Sequence, residues 1–322
     1  MISVLIIGPA LLRKGRGNRR TAVRWGRIFA ELGHGVIFAD LYDGQDCDLL
    51  VALHAIQSAP SIERFRSEHP DLPVVLALTG TDIYGLGEMF DQAGQAAAHA
   101  AMEQATRLVA FHPLAIANVP EHSRPKVKVI LQGALPAAGR PARRTRMFEV
   151  AVVGELREVK DPFRTALAAR RLPSESVVRV VHAGAAGTPQ LAERAAKEEE
   201  VNARYTWLGE ISHADALSLI ARCRLLSISS RHEGGSNVLA EALAVGTPIV
   251  ASRIPGTVGL LGEDYPGYFE VGDAEGLSAL LRRAETDRLF HQLLGDRCRA
   301  LAGLASPARE VDAWKELLAT IL

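Results

Sequence analysis

The chain has 322 residues, 48% hydrophobic, 23% charged and 5% aromatic, enough for two domains with a core each. Lys plus Arg equals Asp plus Glu at 37 each, so there is no global basic field to recruit nucleic acid, and any anion site must come from local clustering. No apolar run approaches the roughly 20 residues that span a bilayer. Cys47, Cys223 and Cys298 lie far apart, outside any metal-ligand spacing. These features lead us to expect a reduced cytoplasmic protein without metal, cofactor, membrane or nucleic-acid partner. The opening MISVLIIG fits that expectation, because it enters a strand-like run with no leader-type charge or cleavage pattern.

Strand-like and helix-like segments alternate, which predicts an α/β fold with parallel sheets. Residues 2–8 read as a strand covered on both faces. A loop to Gly17 and a helix over about 18–32 follow, the helix ending at Gly33, a residue suited to a helix C-terminus. Residues 36–39, 48–53, 74–79, 107–111 and 127–131 repeat the strand pattern. Residues 133–146, GALPAAGRPARRTR, lose it and read as a linker. Alternation then resumes, with strands expected at 148–154, 177–183, 205–208, 225–229 and 248–251. Helices are expected near 161–171 and 189–200, from 212, over about 237–245, and almost continuously from 273. The expected organisation is a Rossmann-like domain over 1–145 and a second over 146–305. A terminal helix over 306–322 is expected to pack back on the first domain. Ligands are expected at the carboxyl ends of the strands, in a cleft between the domains.

The most informative segment is RHEGGSNVLAEALAVGTPIVAS, residues 231–252. Gly234 and Gly235 permit close approach of backbone to a ligand. Ser236 or Asn237 can cap the helix that follows, leaving amide groups and the positive end of the helix dipole for a diphosphate. Glu241, about one turn in, is placed for ribose hydroxyls, and Glu233 for a sugar hydroxyl. Read alone, two glutamates and a glycine turn are more often a solvated helix flank. The whole string is more specific. It resembles the E-x7-E signature of the family 4 group of GT-B glycosyltransferases, E-G-x-x-N-x-L-x-E-A followed by A-x-G-x-P-V-V-A. The resemblance implies sugar contacts for Glu233, phosphate contacts across Gly235, Ser236, Asn237 and Val238, and ribose for Glu241.

Residues 153–160, VGELREVK, leave the first strand of the second domain. The family carries an Arg and a Lys here, near G-R-x-x-x-x-K, against the donor diphosphate. Arg157 and Lys160 are the equivalents, although Glu155 stands where the Arg is usual. Leu208-Gly209-Glu210 before Ser212 matches a family turn beside the base. His182 is read as structural.

In the first domain, Arg13, Lys14, Arg16, Arg19 and Arg20 crowd one loop and helix start together with Gly17 and Asn18. Such runs are usually solvated surface, yet arginine forks and helix amides also make an anion site. A dinucleotide fingerprint is weaker here, because Arg20 stands where a third glycine belongs. His54, Thr81 and Asp82 follow strand ends and face the expected cleft; each serves equally well as a loop brace or helix cap. His112 is a weaker candidate of the same kind.

The runs GNRRTAVRWGRIFAELGH, LHAIQSA, LTGTDIY and SRIPGTVGLLG together resemble the selenosugar synthases of selenoneine biosynthesis, over essentially the whole chain. The last run departs from the wider family's G-G-x-x-E at Gly259. That resemblance implies a UDP-sugar donor, UDP-N-acetylglucosamine or UDP-glucose, and selenophosphate as acceptor. It also implies a purpose for the basic loop, with Lys14, Arg16, Gly17, Asn18, Arg19, Arg20 and Thr81 on the acceptor side. Glu233, Arg157, Lys160, His54 and Asp82 form the implied catalytic set. Two alternatives stay open: an ordinary family 4 transferase with a sugar or lipid acceptor, and a non-catalytic nucleotide-sugar-binding protein.

Overall fold

Apolar residues at successive positions with no polar alternation specify strands buried on both faces, and the computed structural model has two sheets built this way. It describes residues 1–12, 17–135 and 146–322; Arg13, Lys14, Arg16 and most of the expected linker lie outside the described residues. The chain divides into a first unit, Met1–Gln132 with His232–Gly235 and Pro307–Leu322, and a second, Gly133–Arg231 with Ser236–Ser306.

The first unit holds six strands: β1 (Ser3–Ile7), β2 (Gly35–Ala39), β3 (Leu49–Leu53), β4 (Val74–Ala77), β5 (Arg107–Ala110) and β6 (Val127–Val129). They run parallel in the order β2-β1-β3-β4-β5-β6. The two-residue period of a strand sends alternate side chains to opposite faces. Leu5, Ile7, Leu50, Ala52 and Leu76 therefore enter one core. Val4, Ile6, Leu49, Val51 and Val75 enter the other. The helices Ala55–Glu68 and Gln92–Gln104 supply buried residues to the first core, and Gly17–Glu31 and Pro307–Leu318 to the second. In that second core Trp314 meets Trp25 and Phe29 edge to face, at centroid distances of 4.7 and 4.8 Å. Trp25 Nε1 donates to Glu310 Oε1 across 2.8 Å, and Arg24 Nε donates to Glu310 Oε2, also at 2.8 Å.

The second unit holds β7 (Phe148–Val153), β8 (Val178–Ala183), β9 (Tyr205–Trp207), β10 (Leu225–Ile228), β11 (Ile249–Ser252) and β12 (Tyr268–Phe269). All pairs are parallel, in the order β12-β11-β10-β7-β8-β9. Counted from β7, this is the 3-2-1-4-5-6 order of a doubly wound nucleotide-binding sheet. The direction of winding reverses between β7 and β10. In the first sheet the reversal falls between β1 and β3.

Two local features depart from the sequence reading. Residues 255–261 form a helix, Pro255–Leu261, ahead of the short strand β12. The helical stretch after residue 273 is broken into Ala274–Thr286, Arg288–Ala300, a short turn at Ala302–Ala305, and Pro307–Leu318. Asp287 makes the first break: it ends one helix and its carboxylate accepts from Phe290 N at 3.0 Å to start the next.

Candidate functional site

In the second unit, glycines follow β7, β8 and β9, at Gly154, Gly184 and Gly209. Gly154 N donates to Ala183 O at 2.9 Å and Gly184 N to Gly209 O at 2.8 Å, so the three strand ends form a continuous backbone edge. Beyond it, Leu156 is buried and pairs with Ala186, and exposed Arg157 begins a tight turn, Glu158–Lys160. The turn is fixed to the segment that leaves β10. Ser229 Oγ, past the end of β10, donates to Lys160 O and Asp161 O at 3.1 and 2.9 Å. Arg231 N donates to Val159 O at 2.8 Å. The two loops at the sheet's reversal are thus stitched together, and Arg157 and the half-buried Lys160 sit on that stitched turn.

Ser236 caps the helix Asn237–Val245, its Oγ accepting from Leu239 N at 3.3 Å, and Gly246 closes the helix in the left-handed conformation. Of the two capping candidates, then, Ser236 is the one used. The amides of Asn237 and Val238 fall in the first turn, where a helix has no carbonyl of its own to offer them. Glu241 is buried in the following turn, with Oε1 2.8 Å from Nε2 of His213. His213 opens the helix His213–Arg222, which Ser212 caps through Asp215 N. Sequence reasoning missed this histidine. Its signal is faint: a polar residue just inside a Ser-capped helix.

His182 is buried beside Tyr205, whose hydroxyl lies 3.1 Å from Nδ1, and burial lowers its pKa to about 4. A neutral imidazole bonded to a neighbouring strand is a structural group.

In the first unit His54 follows β3 at φ 77, a left-handed conformation that costs a non-glycine residue energy. Its Nε2 lies 3.1 Å from Thr81 Oγ1 and its Nδ1 accepts from Gln57 N at 3.5 Å. Asp82 is fully buried. Its carboxylate accepts from the backbone amides of Ala55 (2.8 Å), Thr79 (2.9 Å) and Gly80 (2.7 Å), and from Thr79 Oγ1 (3.3 Å). The fold therefore brings His54, Thr81 and Asp82 together, with Asp82 as the brace that joins the loops after β3 and β4.

Glu233 is buried in the same unit, and the glycines after it approach the protein's own atoms. A Cβ on Gly234 would lie 2.3 Å from the carbonyl carbon of Thr79, and one on Gly235 2.4 Å from Cβ of Phe111. The close approach that glycine permits is here made to backbone and ring. His112 beside them is buried, 2.9 Å from Tyr84 Oη, and burial brings its pKa to about 4. Asn18, Arg19 and Arg20 lie half-buried on the first turn of Gly17–Glu31, after the loop that leaves β1 at the first sheet's reversal.

Residues 139–300, just over half the chain, match the family model of the glycosyl transferases group 1. The chain belongs to that family. Among similar proteins, the D-inositol 3-phosphate glycosyltransferase of Mycobacterium bovis is 29% identical over 178 residues, 54% of this chain; the match spans 36% of that relative's length. Sucrose-phosphate synthase from Thermosynechococcus elongatus superposes with a TM-score of 0.79 at 16% identity, covering 99% of both chains. Anabaena HepE, solved in complex with UDP-glucose, superposes at 0.78 with 15% identity, covering 99% of this chain and all of its own. This member of the glycosyl transferases group 1 family thus has the GT-B fold of two Rossmann-like α/β domains. No helix among its described residues is long and apolar enough to cross a membrane.

Proposed function

We propose that the protein is a nucleotide-sugar-dependent glycosyltransferase whose donor is a UDP-sugar, UDP-N-acetylglucosamine or UDP-glucose. The observation that carries this reading is the second sheet's reversal. There, a turn bearing Arg157 and Lys160 is stitched to the loop that leads to a Ser-capped helix with buried Glu241. Helix amides and the two cations suit a diphosphate. Glu241 takes the ribose hydroxyls and Glu233 a sugar hydroxyl; Gly234, Gly235, Ser236, Asn237, Val238 and Gly209 complete the donor contacts. The UDP-glucose held by HepE supports the choice of nucleotide.

The acceptor we assign is selenophosphate, on the whole-chain resemblance to selenosugar synthases and on the cationic residues that follow β1. Arg19, Arg20, Asn18 and Thr81 hold the anion, together with Lys14, Arg16 and Gly17. His54 lies against donor sugar or acceptor, and Asp82 positions it. In the reaction the selenium lone pair forms the bond to sugar C1 as the C1–O bond breaks and UDP leaves with the electron pair. Hydrolysis of the P–Se bond then releases phosphate and the 1-seleno-sugar. A selenium nucleophile needs little help from a general base, whereas the departing diphosphate gains charge that Arg157 and Lys160 neutralise.

Incubation of the protein with UDP-N-acetylglucosamine or UDP-glucose and selenophosphate, followed by mass spectrometry, tests the reading. A seleno-sugar together with free UDP is the expected outcome. The name of the mycobacterial relative favours one other acceptor, a phosphorylated cyclitol. A glycosylated inositol phosphate with no seleno-sugar would replace the acceptor assignment and keep the donor.

A further inference from the structure

The buried glutamate of the proposed donor site does not stand alone. Glu241 lies on Asn237–Val245, the helix after β10, and a group from another helix meets its carboxylate. His213 opens the helix after β9, 28 residues earlier in the chain, and its Nε2 is 2.8 Å from Glu241 Oε1. A carboxylate is an acceptor only, so the imidazole N–H donates. The glutamate side chain is 7% exposed while that of His213 is 54% exposed, so the contact runs from the solvent edge to a buried acid. The histidine is itself held. Ser212 Oγ accepts from Asp215 N at 3.1 Å and lies 2.6 Å from Asp215 Oδ2, and this cap fixes the backbone where His213 begins its helix. A glutamate has three side-chain torsions, and a buried one that grips a pair of hydroxyls must hold all three before the ligand arrives.

We propose that His213 is a positioning residue that fixes the Glu241 carboxylate for a ribose 2′,3′-diol, and so sets the protein's preference for ribonucleotides over 2′-deoxyribonucleotides. The inference rests on the proposed assignment of Glu241 to ribose. It adds a residue from a different loop and a specificity to which that residue contributes. Without the histidine, Glu241 loses a hydrogen bond that restrains its rotamer, and the advantage of a second ribose hydroxyl falls.

Calorimetric titration of UDP and 2′-deoxy-UDP into the full-length protein and its variants tests this. The wild type should prefer UDP by about tenfold or more, the loss of one charge-assisted hydrogen bond. His213→Ala should reduce the preference to about twofold. His213→Leu, which fills similar space with no donor, should do the same, whereas His213→Gln, whose amide reaches the position of Nε2, should restore it. A merely structural role would weaken both ligands equally and leave their ratio unchanged. Glu241→Ala separates the two layers of the argument. If Glu241→Ala loses the preference while His213→Ala and His213→Leu keep it, the positioning role is overturned and the ribose assignment stands. If Glu241→Ala keeps the preference, the ribose assignment and the positioning role both fall.

Discussion

Gly184 meets Gly154 backbone to backbone: a Cβ on Gly184 would lie 1.8 Å from the carbonyl oxygen of Gly154. The strand ends after β7 and β8 close together only because Gly184 has no side chain there, and the turn carrying Arg157 and Lys160 starts from this contact. The same substitution should therefore have unequal effects at the two sites. Gly154→Ala meets nothing within 4 Å and bears only the strain of its φ of 158, about 1–3 kcal/mol. Gly184→Ala bears similar strain and a backbone overlap besides, for a total on the order of 3–5 kcal/mol. Urea unfolding of both variants checks this. Equal losses would show that the loop yields easily at Gly184.

Glu241→Ala should weaken UDP and UDP-sugar alike, by about 1.5–3 kcal/mol. Glu233→Ala should spare UDP, because its proposed partner is the sugar. Calorimetry in which both variants lose UDP equally would remove the division of roles between the two glutamates.

Charge on the diphosphate grows as the glycosidic bond breaks, so Lys160→Ala and Arg157→Ala should lower kcat more than donor affinity. Wild-type turnover by Lys160→Ala at saturating donor would contradict the role assigned to it. On the acceptor side, Arg19→Ala and Arg20→Ala should raise the KM for selenophosphate and leave UDP binding almost unchanged. Loss of UDP binding instead would move these arginines to the donor phosphates.

The terminal helix should be needed by the first unit. Glu310→Ala removes the acceptor of buried Trp25 Nε1 and of Arg24, at about 2–4 kcal/mol. Glu310→Gln keeps an acceptor for the indole and should cost less. Denaturant midpoints followed by tryptophan fluorescence distinguish the two, and identical midpoints would deny the indole bond a stabilising part.

Burial holds His112 and His182 near pKa 4, below the ordinary 6.5 of imidazole. Between those values the unfolded chain binds protons that the folded chain does not. Their contribution is complete above about pH 6.5 and is lost as pH falls toward 4, at up to about 1.4 kcal/mol per pH unit for each ring. His182→Gln should make the fall in urea midpoint between pH 7 and 5 shallower by about one proton. An unchanged slope would mean that another group titrates there.

Much of this protein was legible in its sequence, because much of it is written at short range. Continuous apolar runs such as residues 49–53 and 74–77 announced buried parallel strands. The loss of pattern after residue 133 marked a change of texture, and the string from Glu233 to Gly246 contains its own capping serine, helix and closing glycine. Other features depend on where distant segments meet. Asp82 reads as one more polar residue after a strand until Ala55, Thr79 and Gly80 turn their amides onto it. That Gly234 and Gly235 pack closely against Thr79 and Phe111 is likewise invisible in the sequence. His213 acquires meaning only when the helix after β9 lies beside the helix after β10 and sets an imidazole against Glu241. The sequence by itself determined elements and local chemistry, since backbone periodicity, caps and turns act over a few residues. Strand order and the partners of buried polar groups were decided by tertiary structure, because a buried donor or acceptor must be matched by whatever the packing brings to it from elsewhere in the chain.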